Sequence, residues 1–120
     1  MIGLQVEQRD QVPVARLCID VDAANASQLR EELHQQLGTH GGELVIDLSG
    51  TRYLDSAGLD MLFRLAQTLA QRRGTLRVVI PPGSPLIRVA QIVALPETVP
   101  VHAAVEEALD AFAGGAEPAR

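Results

Sequence analysis

The sequence predicts an α/β fold: a single small domain in which one sheet of four to five strands is flanked by about four helices. Three observations lead there. Strand-like and helix-like stretches alternate along the chain, the pattern of a sheet with helices packed on it. Two of the strand-like runs, ELVIDL (43–48) and TLRVVI (75–80), are nearly continuous in apolar residues, as expected of strands covered on both faces. The chain has 120 residues, 47% of them hydrophobic and 21% charged, enough for one modest core and unlike a disordered tail.

The elements follow in order. LQVEQ (4–8) and VPVARLCIDV (12–21) read as two strands with a turn near Arg9 to Gln11. Ala26, Leu29, Leu33 and Leu37 recur at three- and four-residue steps and mark a first amphipathic helix ending near Gly38, after which Gly41 and Gly42 break the chain. ELVIDL is the third strand. The next helix carries Leu59, Leu62, Phe63, Ala66, Leu69 and Ala70 on one side. Arg72 and Arg73 suit its negative pole, and Gly74 is placed to stop it. TLRVVI is the fourth strand. In PPGSPLIRVAQIV (81–93), Ser84 is placed as N-cap and Pro85 as first helical residue. ETVPV (97–101) reads as a short edge strand, because Pro100 cannot donate to a central ladder. Val105, Ala108, Leu109 and Phe112 stripe a last helix. GGAEPAR (114–120) reads as a flexible C-terminal tail, which leaves 1–113 as the domain. There is no internal repeat.

Composition narrows the function. The three aromatics, Tyr53, Phe63 and Phe112, are too few for a base-stacking platform. The net charge of −5 and the lack of any lysine argue against a phosphate-backbone partner, so no nucleic acid is expected. The lone Cys18 excludes an internal disulfide and a multi-cysteine metal site, and within VARLCIDV it is expected to pack as a small hydrophobe. No stretch approaches the roughly 20 apolar residues of a membrane helix, and the first ten residues lack the blocks of a signal peptide. The expectation is a cytoplasmic protein without membrane insertion.

Chemistry is sparse. His34, His40 and His102 are far apart and in no metal-ligand spacing; all three are expected at the solvated surface, with no metal and no cofactor. Ser56 is not an elbow nucleophile, since Leu54 stands where G-x-S-x-G needs glycine. No lysine-bearing phosphate loop exists. Asp20 with Asp22, and Asp55 with Asp60, read as caps or solvated acids. An enzyme is not expected.

One stretch, RYLDSAGLDMLF (52–63), is left over. Ser56 or Asp55 caps the helix it begins. Glycine inside a first turn weakens a helix by roughly 0.5–1 kcal/mol relative to alanine, and capping does not explain Gly58. With Ala57 it strips the turn of side chains, and the expectation is that Gly58 keeps the turn open to a partner. A phosphate on Ser56 would sit at the positive end of the helix dipole and leave the fold intact. It would add about −1.5 to −2 charges to a surface already carrying Asp55 and Asp60.

ELVIDLSGTRYLDSAGLDML, with GTLRVVIPPGSP and LPETVPVHAAVEEAL after it, resembles the STAS domain family and, within it, the bacterial anti-sigma factor antagonists, from about Val12 to Phe112. The resemblance implies a mixed sheet flanked by helices. It implies partner switching: the unmodified antagonist binds an anti-sigma factor, a serine kinase of the histidine-kinase-like ATPase fold, and frees the sigma factor. Phosphorylation of the motif serine dissociates the complex, and a phosphatase resets it. On this chain the acceptor is Ser56, with Asp55, Ala57, Gly58 and Leu59 as motif neighbours on the partner surface. Asp47 closes the preceding strand, and Asp22 matches an acidic position before the first helix. Two positions depart from the family pattern, Ile19 and Ala94, where glycine is frequent; a left-handed Ala94 would lower stability. The alternative within the family is an accessory subunit docking on the ATPase of a membrane lipid transporter, in which Ser56 is a cap or a contact and not a switch.

Overall fold

The computed structural model describes residues 3–37 and 42–114. Gly38, His40 and Gly41 lie outside them, as does the expected tail except for Gly114, which closes the last helix. The elements are β1 (Leu4–Arg9), β2 (Val12–Leu17), α1 (Ala26–Leu37), β3 (Glu43–Asp47), α2 (Ser56–Gln71), β4 (Thr75–Val79), α3 (Leu86–Ile92), a 3-10 turn (Leu95–Glu97), β5 (Val101–His102) and α4 (Val105–Gly114). The five strands form one mixed sheet in the order β1-β2-β3-β4-β5, with β1 antiparallel to β2 and every other pair parallel.

The hairpin turn has two residues, Asp10 and Gln11, both at positive φ (54° and 69°), the twist-matched geometry of the tightest hairpins. Register then sorts each strand's side chains by parity. Ala15, Leu17, Leu44, Ile46, Leu76 and Val78 face the larger core with α1, α2 and α3. Val12, Val14, Val45 and Val79 face the other way, under Ala108 and Leu109 of α4, with Val105 and Phe112 at the margin. The apolar continuity of ELVIDL and TLRVVI therefore means what it suggested: both faces are covered.

Several expectations need correcting. The buried face of α2 is Gly58, Met61, Leu62, Leu65 and Leu69, so the predicted stripe was rotated: Leu59, Phe63 and Ala66 flank the core and Ala70 is exposed. The end of α2 is closed by Arg73 at φ 62°, not by a left-handed Gly74. The Gly74 N–H donates to Leu69 O (2.7 Å) and the Arg73 N–H to Ala70 O (3.0 Å), which is the Schellman pairing one residue earlier than read. The strand in ETVPV begins after Pro100, whose carbonyl accepts from Val78 N (3.0 Å). Cys18 is exposed: it stands one residue past the end of β2 at Leu17, where its backbone N–H donates to Gly3 O (2.7 Å).

His102 is half-buried rather than solvated. Its Nε2 lies 3.1 Å from the Arg77 guanidinium, which stacks 4.8 Å from the Phe112 ring centre. Burial, then the adjacent cation, hold its pKa below the ordinary value. The start of α3 lies one residue later than read: Leu86 opens the helix, and Pro85, already in helical conformation (φ −63°, ψ −16°), takes the N-cap position. Ser84 just before it still serves the helix start, its Oγ accepting from Leu86 N (3.0 Å). Ala94 does adopt the left-handed conformation (φ 54°, ψ 40°).

Candidate functional site

The ends of β2 and β3 lie side by side, since the two strands pair in parallel, and the loops that follow them are sewn together. Thr51, buried, donates its hydroxyl to Ile19 O (2.9 Å), with Leu17 O a second acceptor at 3.2 Å. Gly50 lies so close to β2 that a Cβ there would stand 2.9 Å from Leu17 O. The Arg52 N–H donates to Asp20 Oδ1 (3.0 Å). A two-residue parallel bridge then joins Val21 to Leu54: Val21 N donates to Tyr53 O (3.0 Å) and Asp55 N to Val21 O (3.2 Å).

From this bridge α2 begins. Asp55 is its N-cap, in extended backbone conformation (φ −94°, ψ −170°). Its Oδ1 accepts from Ala57 N (2.9 Å) and Gly58 N (3.1 Å), satisfying two of the orphan donors every helix start presents. Its Oδ2 accepts from Ala23 N (3.2 Å) in the β2–α1 loop. Of the two capping candidates the acid takes the role, and Ser56, the first helical residue, is left exposed.

The remaining expected residues divide. Asp22 is half-buried and organises its own turn: Oδ1 accepts from Ala24 N (2.9 Å) and its carbonyl from Ala26 N (2.9 Å). The Asp55 bond to Ala23 brings that turn against the start of α2. Ala57, half-buried, joins Ala23, Ala26 and Met61 in lining an open groove between α1 and α2, along with Arg30 and Arg64. Leu59 packs against the large core. Asp60 is held by Arg64 (2.6 Å) in an exposed pair, so it adds less negative charge beside Ser56 than its position suggested.

Gly58 overturns its expectation. It is buried, and a Cβ there would meet Leu54 Cδ2 at 3.0 Å and Val21 Cβ and Cγ1 at 3.2 Å. The glycine lets the first turn of α2 lie directly on the Val21–Leu54 bridge; it faces inward. Tyr53 was not anticipated in the site. It is 54% exposed, placed outward by its alternation with buried Leu54 next to the serine turn. That alternation of tyrosine and leucine just before the helix start was the available signal.

With this geometry in place, comparison with known proteins is informative. The sequence profile of the STAS domain matches residues 3–108. The chain belongs to the STAS domain family. A relative from Bordetella bronchiseptica, provisionally named the anti-sigma factor antagonist BtrV, is 36% identical over 73 residues; the match spans 61% of this chain and 63% of that protein. The crystal structure of an anti-sigma factor antagonist from Mycobacterium paratuberculosis superposes with a TM-score of 0.80 at 29% identity, covering 90% of this chain and 91% of that one. The phosphorylated form of the Bacillus cell fate determinant SpoIIAA superposes with a TM-score of 0.67 at 22% identity, covering 91% of this chain and 98% of that one. At that identity the likeness is one of fold. In this STAS domain the DSAGL stretch is thus divided by role: Asp55 caps, Gly58 packs, Leu59 borders the core, and Ser56 alone is fully presented to solvent. Among the described residues no helix is long and apolar enough to cross a membrane.

Proposed function

We propose that the chain is an anti-sigma factor antagonist, a binding protein that in its unmodified form captures an anti-sigma factor and so releases a sigma factor. Ser56 is its switch: the partner is a serine kinase of the histidine-kinase-like ATPase fold, phosphorylation of Ser56 ends the complex, and a phosphatase restores it. One observation carries this reading. The serine of DSAGL is exposed at the first position of α2 while the capping is done by its neighbour Asp55, so a group added to Ser56 displaces none of the fold's own capping bonds. A phosphate there also meets the positive end of the helix dipole. Naming of the Bordetella and Mycobacterium relatives as antagonists supports the same role.

The test is affinity capture from the native lysate with mass spectrometry, comparing the natural chain with Ser56→Asp. The expected outcome is a histidine-kinase-like ATPase recovered by the natural chain and lost by the variant, with both chains equally folded. A transporter ATPase recovered equally by both would replace this reading with the accessory-subunit one and reduce Ser56 to a contact.

A further inference from the structure

We propose that Asp55 is a positioning residue for Ser56: its one carboxylate, through opposite oxygens, holds the start of α2 and the Ala23 turn together as one rigid surface. The proposal deepens the phosphoswitch reading and rests on it for its bearing on Ser56. The backbone bridge between the two loops ends at Val21 and Asp55. Beyond it the chain leaves toward α1 through residues 22–25. Among the described residues, the hydrogen bond from this turn to the β3–α2 side is Ala23 N–H to Asp55 Oδ2 at 3.2 Å. The turn's other bonds are within itself, to Asp20 or to α1. Meanwhile Oδ1 carries both cap bonds of α2. The relative placement of the half-buried Asp22 and the exposed Ser56 therefore rests on the backbone bridge and, beyond it, on this one side chain. Bonds to an ionised acceptor are about twice as strong as neutral ones, which suits a carboxylate to this task.

Asparagine separates the two duties. Its single carbonyl oxygen still caps α2, and asparagine is as good a cap as aspartate. Its amide nitrogen then faces the Ala23 N–H, donor against donor, and the inter-loop bond is gone. Amide hydrogen exchange followed by NMR on the full chain reads this directly. In Asp55→Asn we expect the Ala23 amide to exchange about tenfold faster or more, with Ala57 and Gly58 little changed; in Asp55→Ala all three should quicken. Unaltered exchange at Ala23 in Asp55→Asn would overturn the proposal. So would uniform acceleration at every amide with a lower melting temperature, the mark of an ordinary stability residue. A second arm uses the serine kinase captured by the natural chain: Asp55→Asn should lower kcat/KM for Ser56 phosphorylation about tenfold. A rate unchanged while Ala23 is released would also sink the positioning role. If no kinase is captured, it is the phosphoswitch that fails, and the exchange experiment judges the link between the loops by itself.

Discussion

Helices α2 and α3 start from the same place and are built from similar words, yet they use them differently. Each follows the C-terminal end of a parallel strand, β3 or β4, and each has a serine at its threshold: Ser56 in DSAG, Ser84 in GSPL. At α3 the serine hydroxyl accepts from Leu86 N and does the capping itself. At α2 the residue before the serine is an aspartate that takes over the cap, and the hydroxyl is left outside. Two residues after each serine, buried Leu86 opens α3, whereas Gly58 is the third residue of α2. The first turn of α3 buries a leucine, whereas that of α2 is pressed onto Val21 and Leu54 through a glycine. A serine at a helix start is thus a structural residue unless something adjacent relieves it of that work, and what relieves it can be read in the residue before.

This contrast can be broken at several points. The largest effect should come from Gly58→Leu, which forces a side chain into contacts already at 3.0–3.2 Å. We expect a loss of about 1–3 kcal/mol, measured by urea or thermal unfolding; an unchanged midpoint would mean that the first turn of α2 is free to lift off the bridge. Next is the paired comparison of the serines. Ser84→Ala should cost about 1 kcal/mol, while Ser56→Ala stays within about 0.5 kcal/mol; equal losses would show Ser56 to be a cap after all. The smallest effect lies at the helix C-termini, where α2 and α3 both end near a non-glycine left-handed residue, Arg73 and Ala94. Ala94→Gly should gain about 0.5–1 kcal/mol, and a loss in the same unfolding experiment would indicate that the alanine methyl packs usefully there.

Much of this was legible beforehand, for identifiable reasons. Strand faces and helix stripes leave periodic traces, so the five strands, the α4 stripe and the Ser84 cap were readable from spacing. The serine of DSAGL and the acid beside it were readable from the motif. What periodicity cannot carry is which neighbour a residue will touch. Gly58 looked like an opening because the sequence does not say that Val21, 37 positions earlier, lies beneath it. The roles of Thr51 and Asp20 were hidden for the same reason: both act on loops far away in the chain. The α2 stripe was misjudged by about one position because leucine and alanine are frequent all round that helix, and Met61 and Leu65 were decided by the sheet below. Cys18 sat in an apolar run, but the strand stopped one residue short of it.

The two faces of the sheet are covered at different moments of synthesis. α1, α2 and α3 leave the ribosome in turn and can settle on their side as the strands assemble, but the valine face of Val12, Val14, Val45 and Val79 has α4 as its cover, and α4 follows every strand of the sheet in the chain. Until Val105 and the residues after it emerge, the nascent chain holds a sheet with one naked apolar side, the kind of transient surface that invites aggregation or chaperones. Helix α4 is in that sense the domain's lid against premature company, and a chain stopped before it would keep its valine face bare.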